Sequence, residues 1–497
     1  MTDTPASSAT PAGPSQHLPR LPRYHLRDLP SVVQGGMGVA VSSWRLASAV
    51  ARGGQLGVVS GIALDTVLTR RLQDGDRGGA VRRAMSHFPV PGVVSRTMAR
   101  YFRKDGRAPG TPYLMVPRLA LRQRRTAQEL AVLGNFVEVW LAKEGHDGPV
   151  GVNYLEKVQM ATPAAVYGAM LAGVDYVLMG AGIPREMPWL LDELAEHKPV
   201  QLPIDVTGAA SGTYTVDLDP KALLGMSLPP LARPMFLAIV SAHVLAAYLA
   251  RDEHIRPDGF VIEAPSAGGH NAPPRGRLVL DETGQPVFGP RDEADLAKVA
   301  EIGLPFWLAG SRGTPEALAA AKASGAAGVQ VGTLFALSED SGLAPHLRDG
   351  LLTQLRAGTL DIRTDPLASP TGFPFKVARV PGTLSDEGAL AARPRLCDLG
   401  YLRTPYVRPG GAVGYKCPSE PVEDYVRRGG TVEETVGRAC LCNSLMANVG
   451  LGQTRDDGYQ EDPLVTLGTD MVGARALASA HPSGWSAGQA LDWLLGR

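Results

Sequence analysis

His270 ends the run Ala267-Gly268-Gly269-His270, a few residues after the apolar stretch Gly259-Phe260-Val261-Ile262-Glu263. This supplies two requirements of a catalytic loop: glycines that let backbone approach a flat or phosphorylated ligand, and an imidazole that titrates near neutral pH. In such a place His270 can abstract a proton, donate a hydrogen bond to an anionic substrate, or position one. Glu263 can orient the site, and can equally be a buried structural carboxylate.

Four more clusters have the same character. In Ala309-Gly310-Ser311-Arg312-Gly313 and Val331-Gly332-Thr333, glycine-bearing turns end apolar runs, and backbone N–H groups at a following helix suit a phosphate. Arg312 can add a charge-assisted contact. Gln34-Gly35-Gly36-Met37-Gly38 allows close approach to a planar ring, with Gly36 as the gap and Met37 as a soft apolar contact. Gly151-Val152-Asn153 places an amide where it can donate to and accept from a heterocycle, or serve as a turn residue.

The elements that must position these loops are legible as alternating strand and helix. Eight short, nearly continuous apolar runs occur, at 31–34, 56–59, 149–153, 176–179, 236–240, 260–263, 306–309 and 329–331. Continuous rather than alternating hydrophobicity predicts parallel strands buried on both faces. Helix starts are predicted at Ser42-Ser43, Thr162-Pro163 and Thr314-Pro315, where a hydroxyl cap, in two cases followed by proline, opens an amphipathic stretch. The run from Met235 to Ala250 divides into a strand and a helix beginning near Ser241. Eight such units predict a closed (β/α)8 TIM barrel, whose strand C-termini share one face and whose last two loops commonly hold phosphate.

Two intervals are too long for one crossover, 70–148 and 197–234. The second contains a predicted hairpin, an insertion at about 199–232, of the kind that serves as a lid or substrate wall. The expected organisation is a disordered leader over 1–23, a barrel over 24–380, and a C-terminal extension over 381–497.

Lys plus Arg and Asp plus Glu both number 49, so no basic excess exists to bind a nucleic-acid backbone. The Ser/Thr/Pro/Ala-rich start lacks a signal-peptide apolar core, and no apolar run reaches the ~18–20 residues of a membrane span. A cytoplasmic protein without nucleic-acid or membrane partners is expected. All four cysteines, Cys397, Cys417, Cys440 and Cys442, fall in the extension. Four thiols can make a zinc site, but a single C-x-C with long intervals is not the paired spacing typical of one, so metal binding stays open beside separate buried or reactive thiols.

As a set, these motifs resemble, in order and spacing, those of the nitronate monooxygenase (2-nitropropane dioxygenase) family, which includes flavin-dependent enoyl-acyl-carrier-protein reductases. The resemblance spans 30–337. It implies non-covalent FMN, with Gly36, Met37 and Asn153 at the ring, Glu263 and the Gly268-Gly269 turn lining the cofactor site, Gly310, Ser311, Gly332 and Thr333 at the phosphate, and His270 facing the substrate. The implied reaction oxidises an alkyl nitronate with O2 to a carbonyl compound and nitrite. The alternative within the family pairs NAD(P)H with an acyl thioester. Outside it stand a flavin-binding scaffold without turnover and a phosphate-binding barrel without flavin. The sequence departs from the family at Asn271-Ala272-Pro273-Pro274-Arg275-Gly276, in the hairpin and in the extension, all of which bear on the cavity mouth. A homo-oligomer is compatible with all these readings.

Overall fold

A computed structural model describes residues 29–497; the leader expected over 1–23 lies outside them. Eight strands form at the predicted runs: β1 (Val32–Gln34), β2 (Gly57–Ser60), β3 (Val150–Leu155), β4 (Tyr176–Gly180), β5 (Met235–Val240), β6 (Gly259–Glu263), β7 (Phe306–Ala309) and β8 (Gly328–Val331). All pair in parallel around one sheet. The ring closes between β1 and β2, where Leu56 bridges Val33, its N–H donates to Val32 O at 3.1 Å and its carbonyl accepts from Gln34 N at 2.9 Å. The protein is a (β/α)8 TIM barrel with added hairpins.

Two apolar layers explain why the strands read as unbroken hydrophobic runs. Val33, Val58, Leu178, Leu237, Val261 and Trp307 point inward and fill the barrel. Their neighbours Val32, Val59, Val177, Phe236, Phe260 and Leu308 point outward into the larger core beneath the helices. Trp307 is fully buried, and its indole N–H donates to Pro30 O at 2.7 Å, closing the barrel floor. Trp307→Ala should cost about 3–5 kcal/mol by deleting the largest interior side chain, measured as a lower denaturant midpoint.

The strand and helix expected within 235–250 form as Met235–Val240 and His243–Arg251. Thr314 caps the helix Pro315–Ala323, accepting from Ala317 N at 3.2 Å. Two other expected caps differ. Ser43 precedes the helix Trp44–Arg52 without a side-chain cap bond, because the Glu138 carboxylate takes the Trp44 N–H at 2.8 Å. Thr162 lies inside its helix, which begins directly after the 3-10 turn Gln159–Ala161, and its hydroxyl reaches back to Val158 O.

The hairpin forms as Val200–Ile204 against Tyr214–Leu218. A third long excursion follows His270, with the bridge Leu280↔Pro286 at its tip. It was overlooked because its Gly/Pro-rich sequence has neither strand nor helix periodicity. Beyond 380, the antiparallel strands Thr404–Val407 and Val413–Lys416 and the helices Leu441–Ala447, Val472–Ala480 and Ala487–Leu495 pack against the barrel and its loops. Among the described residues no helix is long and apolar enough to cross a membrane.

Candidate active site

The strand tips open into a cavity of about 250 Å3. Gly36, Met37, Asn153, Glu263, Gly268, Gly269, His270, Gly310, Ser311, Gly332 and Thr333 all line it, drawn from five strand ends. Residues far apart in sequence meet because all eight barrel strands run in the same direction.

The β1 loop is folded around Ser42, which is fully buried. Its hydroxyl accepts from Gln34 Nε2 at 2.8 Å and Met37 N at 2.9 Å and donates to Gly35 O at 2.8 Å. Gly36 is then pressed onto β3: a Cβ there would lie 2.3 Å from Asn153 Cβ. The Asn153 Nδ2 donates to Gly36 O at 3.1 Å, while its Oδ1 is buried and has no partner. Gln330 Oε1 and Arg312 Nε are likewise buried without partners, and both side chains line the cavity. Burying such groups unpaired costs about 1–3 kcal/mol each, so the cavity is chemically matched to a ligand that donates at two places and carries an acceptor or anion at a third. Asn153→Ala should leave the fold intact and weaken that ligand by about tenfold, a loss readable by titration.

The opposite wall is built from the β7 and β8 loops. Gly310 and Ser311 both have positive φ, +87° and +54°. A Cβ on Gly310 would come within 2.9 Å of Ser266 Oγ, and Ser311 pays for its left-handed backbone with a hydroxyl bond to the same Oγ at 2.8 Å. Thr333 Oγ1 accepts from Gly468 N at 3.1 Å.

His270 is held by the antiparallel strands Ile362–Asp365 and Phe375–Ala378: it bridges Phe375, and Lys376 N donates to Gly269 O at 2.9 Å. Its Nε2 lies 2.7 Å from Ser369 Oγ, which in turn lies 2.8 Å from Thr371 Oγ1, and the Phe375 ring packs edge-on at 4.9 Å. Burial lowers the imidazole pKa to about 4. Burial raises the Glu263 carboxyl to about 8. At neutral pH the imidazole is therefore held neutral, and the carboxyl is protonated where an ordinary one would be ionised.

The remaining wall comes from residues that sequence reasoning missed. Tyr401, Leu402, Leu441, Cys442 and Leu445 make an apolar side, and Thr466, Leu467, Gly468, Asp470 and Gly473 run along the β6, β7 and β8 loops. Gly269 N donates to Thr466 Oγ1 at 2.8 Å, and Thr469 N to Ser266 O at 3.0 Å. The hairpin at 200–218, expected as lid or wall, contributes nothing to the cavity; its end pairs with the extension instead, through Thr207 and Tyr406. The glycines at 468 and 473 were the only sequence signal for this segment, and turn glycines are too common to stand out.

No protein-family model matches the chain, and no curated protein matches it. Solved structures do resemble it in fold. FabK from Thermotoga maritima is 16% identical over 95% of this chain and 93% of its own, with a TM-score of 0.46. Nitroalkane oxidase from Streptomyces ansochromogenes is 16% identical over 94% and 95%, with a TM-score of 0.44. The enoyl reductase domain of MlnA from Bacillus amyloliquefaciens is 12% identical over 71% and 64%, with a TM-score of 0.36. The functional reading rests on the cavity's own residues.

Proposed function

We propose that this barrel is an FMN-dependent oxidoreductase of nitronate monooxygenase type. The observation that carries the reading is that Asn153, Gln330 and Arg312, each with a buried polar atom left without a partner (Oδ1, Oε1 and Nε), line one glycine-rich cavity together with His270. The donor set fits FMN: amide oxygens suit the imide edge of a flavin ring, and a guanidinium beside Gly310, Ser311, Gly332 and Thr333 suits a phosphate. When bound, FMN supplies the redox chemistry, by which electrons leave an alkyl nitronate and reach O2, giving a carbonyl compound and nitrite.

The chain's part is placement. Gly36, packed on Asn153, brings the β1 loop with Met37 to the ring, and Gly268, packed on Leu467 and Gly468, brings the β6 loop with Gly269 to it. Neutral His270, steadied by Ser369, donates to or orients the substrate's anionic end. Protonated Glu263 offers a hydrogen bond inside the cavity without adding charge.

A second reading follows from the apolar side formed by Leu402, Leu441 and Leu445. That surface suits an acyl chain, and with NAD(P)H as reductant the same site would reduce an enoyl thioester. Purified protein should be yellow or should take up added FMN. Anaerobic bleaching by propyl-2-nitronate supports the first reading, whereas bleaching by NADPH with recovery on crotonyl thioester supports the second. A colourless protein that refuses FMN ends both. His270→Ala should keep the colour and lose about 10²–10⁴-fold in turnover; retained turnover would leave His270 without the assigned role.

A further inference from the structure

A second cavity, of about 330 Å3, lies in the extension away from the strand tips. Arg118, Arg403, Arg408 and Arg428 line it with Glu420 and Asp424, and Cys397 opens onto it. The two acids are already engaged, Glu420 by Arg428 and Asp424 by Arg427. Arg118 and Arg403, by contrast, donate to neutral carbonyls: Arg118 Nε to Asp398 O at 2.8 Å, Arg403 Nε to Gly400 O at 3.1 Å and Nη2 to Leu119 O at 2.8 Å. Their charge is left to act on the half-buried thiol beside them.

Cys417 is buried directly after the strand Val413–Lys416, near Cys397. The two share a small void with Cys440 and Cys442. Among the described residues no group of three or more His, Cys, Asp or Glu is arranged to hold a metal ion, and all four cysteines are free thiols.

We propose that Cys397 and Cys417 are a reversible thiol pair oxidised by hydrogen peroxide, with Cys397 reacting first and Cys417 resolving. In the first step the Cys397 thiolate attacks the peroxide oxygen; the O–O bond breaks, water leaves after protonation, and Cys397 becomes a sulfenic acid. In the second the Cys417 thiol attacks that sulfur, the S–O bond breaks, and a second water leaves with the formation of the disulfide. Two thiols thus lose two electrons and two protons to one peroxide. The asymmetry of the pair agrees: the contact with Cys417, helped by Arg403 and Arg118, holds the Cys397 thiol below its usual range, and the same contact together with burial pushes Cys417 up. Cys440 and Cys442, pushed up by burial, are expected to remain reduced.

The test uses the full chain and hydrogen peroxide. In the untreated protein, Cys397 should alkylate on the order of tenfold faster than the other three cysteines. Peroxide should produce one disulfide, mapped by peptide mass spectrometry to 397 and 417 and reversed by dithiothreitol. Cys417→Ser should accumulate a sulfenic acid at Cys397 that dimedone traps. Equal alkylation of all four thiols, a disulfide between another pair, or stoichiometric zinc that shields the thiols until chelated would each overturn the proposal.

Discussion

Gly473→Ala will weaken binding of the proposed FMN by about ten- to a hundredfold, although residue 473 lies far along the chain from any strand of the barrel. A Cβ at 473 would stand 1.8 Å from Gly313 O and 2.8 Å from its carbonyl carbon. No rotamer relieves a clash between a Cβ and backbone, so either the helix Val472–Ala480 backs away or the Gly310–Gly313 turn is displaced. The helix is anchored in the core by Ala474, Leu477 and Ala478, which leaves the turn to move. Overpacking of this kind costs about 1–3 kcal/mol, and about 1.4 kcal/mol is a factor of ten in affinity. Trp493→Phe approaches the same turn by another route, deleting the indole N–H that donates to Gly313 O at 3.0 Å. Gly488→Ala is the control, since its Cβ would meet nothing nearer than Ser486 Oγ at 3.6 Å. Titration of flavin fluorescence reads all three; a folded Gly473→Ala protein that binds FMN as tightly as the parent would refute the claim.

The second large effect concerns pH. Turnover in the proposed nitronate reaction should be level through pH 6.5, where an ordinary histidine titrates, because burial has lowered His270 to about 4. It should then fall as pH rises through about 8, where Glu263 ionises. Glu263→Gln, which keeps a neutral side chain of the same shape, should abolish the upper inflection. The linkage has opposite signs at the two residues. Between about 4 and 6.5 the unfolded chain holds a proton on His270 that the folded chain lacks, so folding weakens as pH falls through that range. Between 4.5 and about 8 the folded chain holds a proton on Glu263 that the unfolded chain has lost, so folding weakens as pH rises. Between about 4.5 and 6.5 the two contributions cancel, so in thermal melts at graded pH His270→Ala should make stability fall with rising pH across that window, and Glu263→Gln should make it rise there and level out above 6.5. A turnover step at pH 6.5 would show that the imidazole is better hydrated than its packing against Phe375 implies.

The barrel was legible because a strand buried on both faces leaves an unmistakable mark: Val32-Val33, Phe260-Val261-Ile262 and Phe306-Trp307-Leu308 are apolar inward and outward alike. Once eight such runs imply a common direction, the meeting of Gly36, Asn153, His270, Gly310 and Gly332 follows from topology rather than from any local pattern. Ser42 was read only as a helix start, since a hydroxyl that knots a loop looks in sequence like one that caps a helix. That the extension bears on the cavity mouth was legible from the resemblance, but the residues that build its wall, among them Leu441, Cys442 and Leu467, were not. Its residues reach the cavity through long-range packing and single hydrogen bonds such as Gly468 N to Thr333 Oγ1, and neither leaves a period in the sequence.

Because Thr466 to Gly473 wall a chamber whose eight staves end at Val331, a nascent chain leaving the ribosome finishes its staves well before the last panel exists. Vectorial synthesis therefore separates assembly of the staves from completion of the chamber: the last panel is made only once residue 473 has emerged, so the proposed flavin would be captured late.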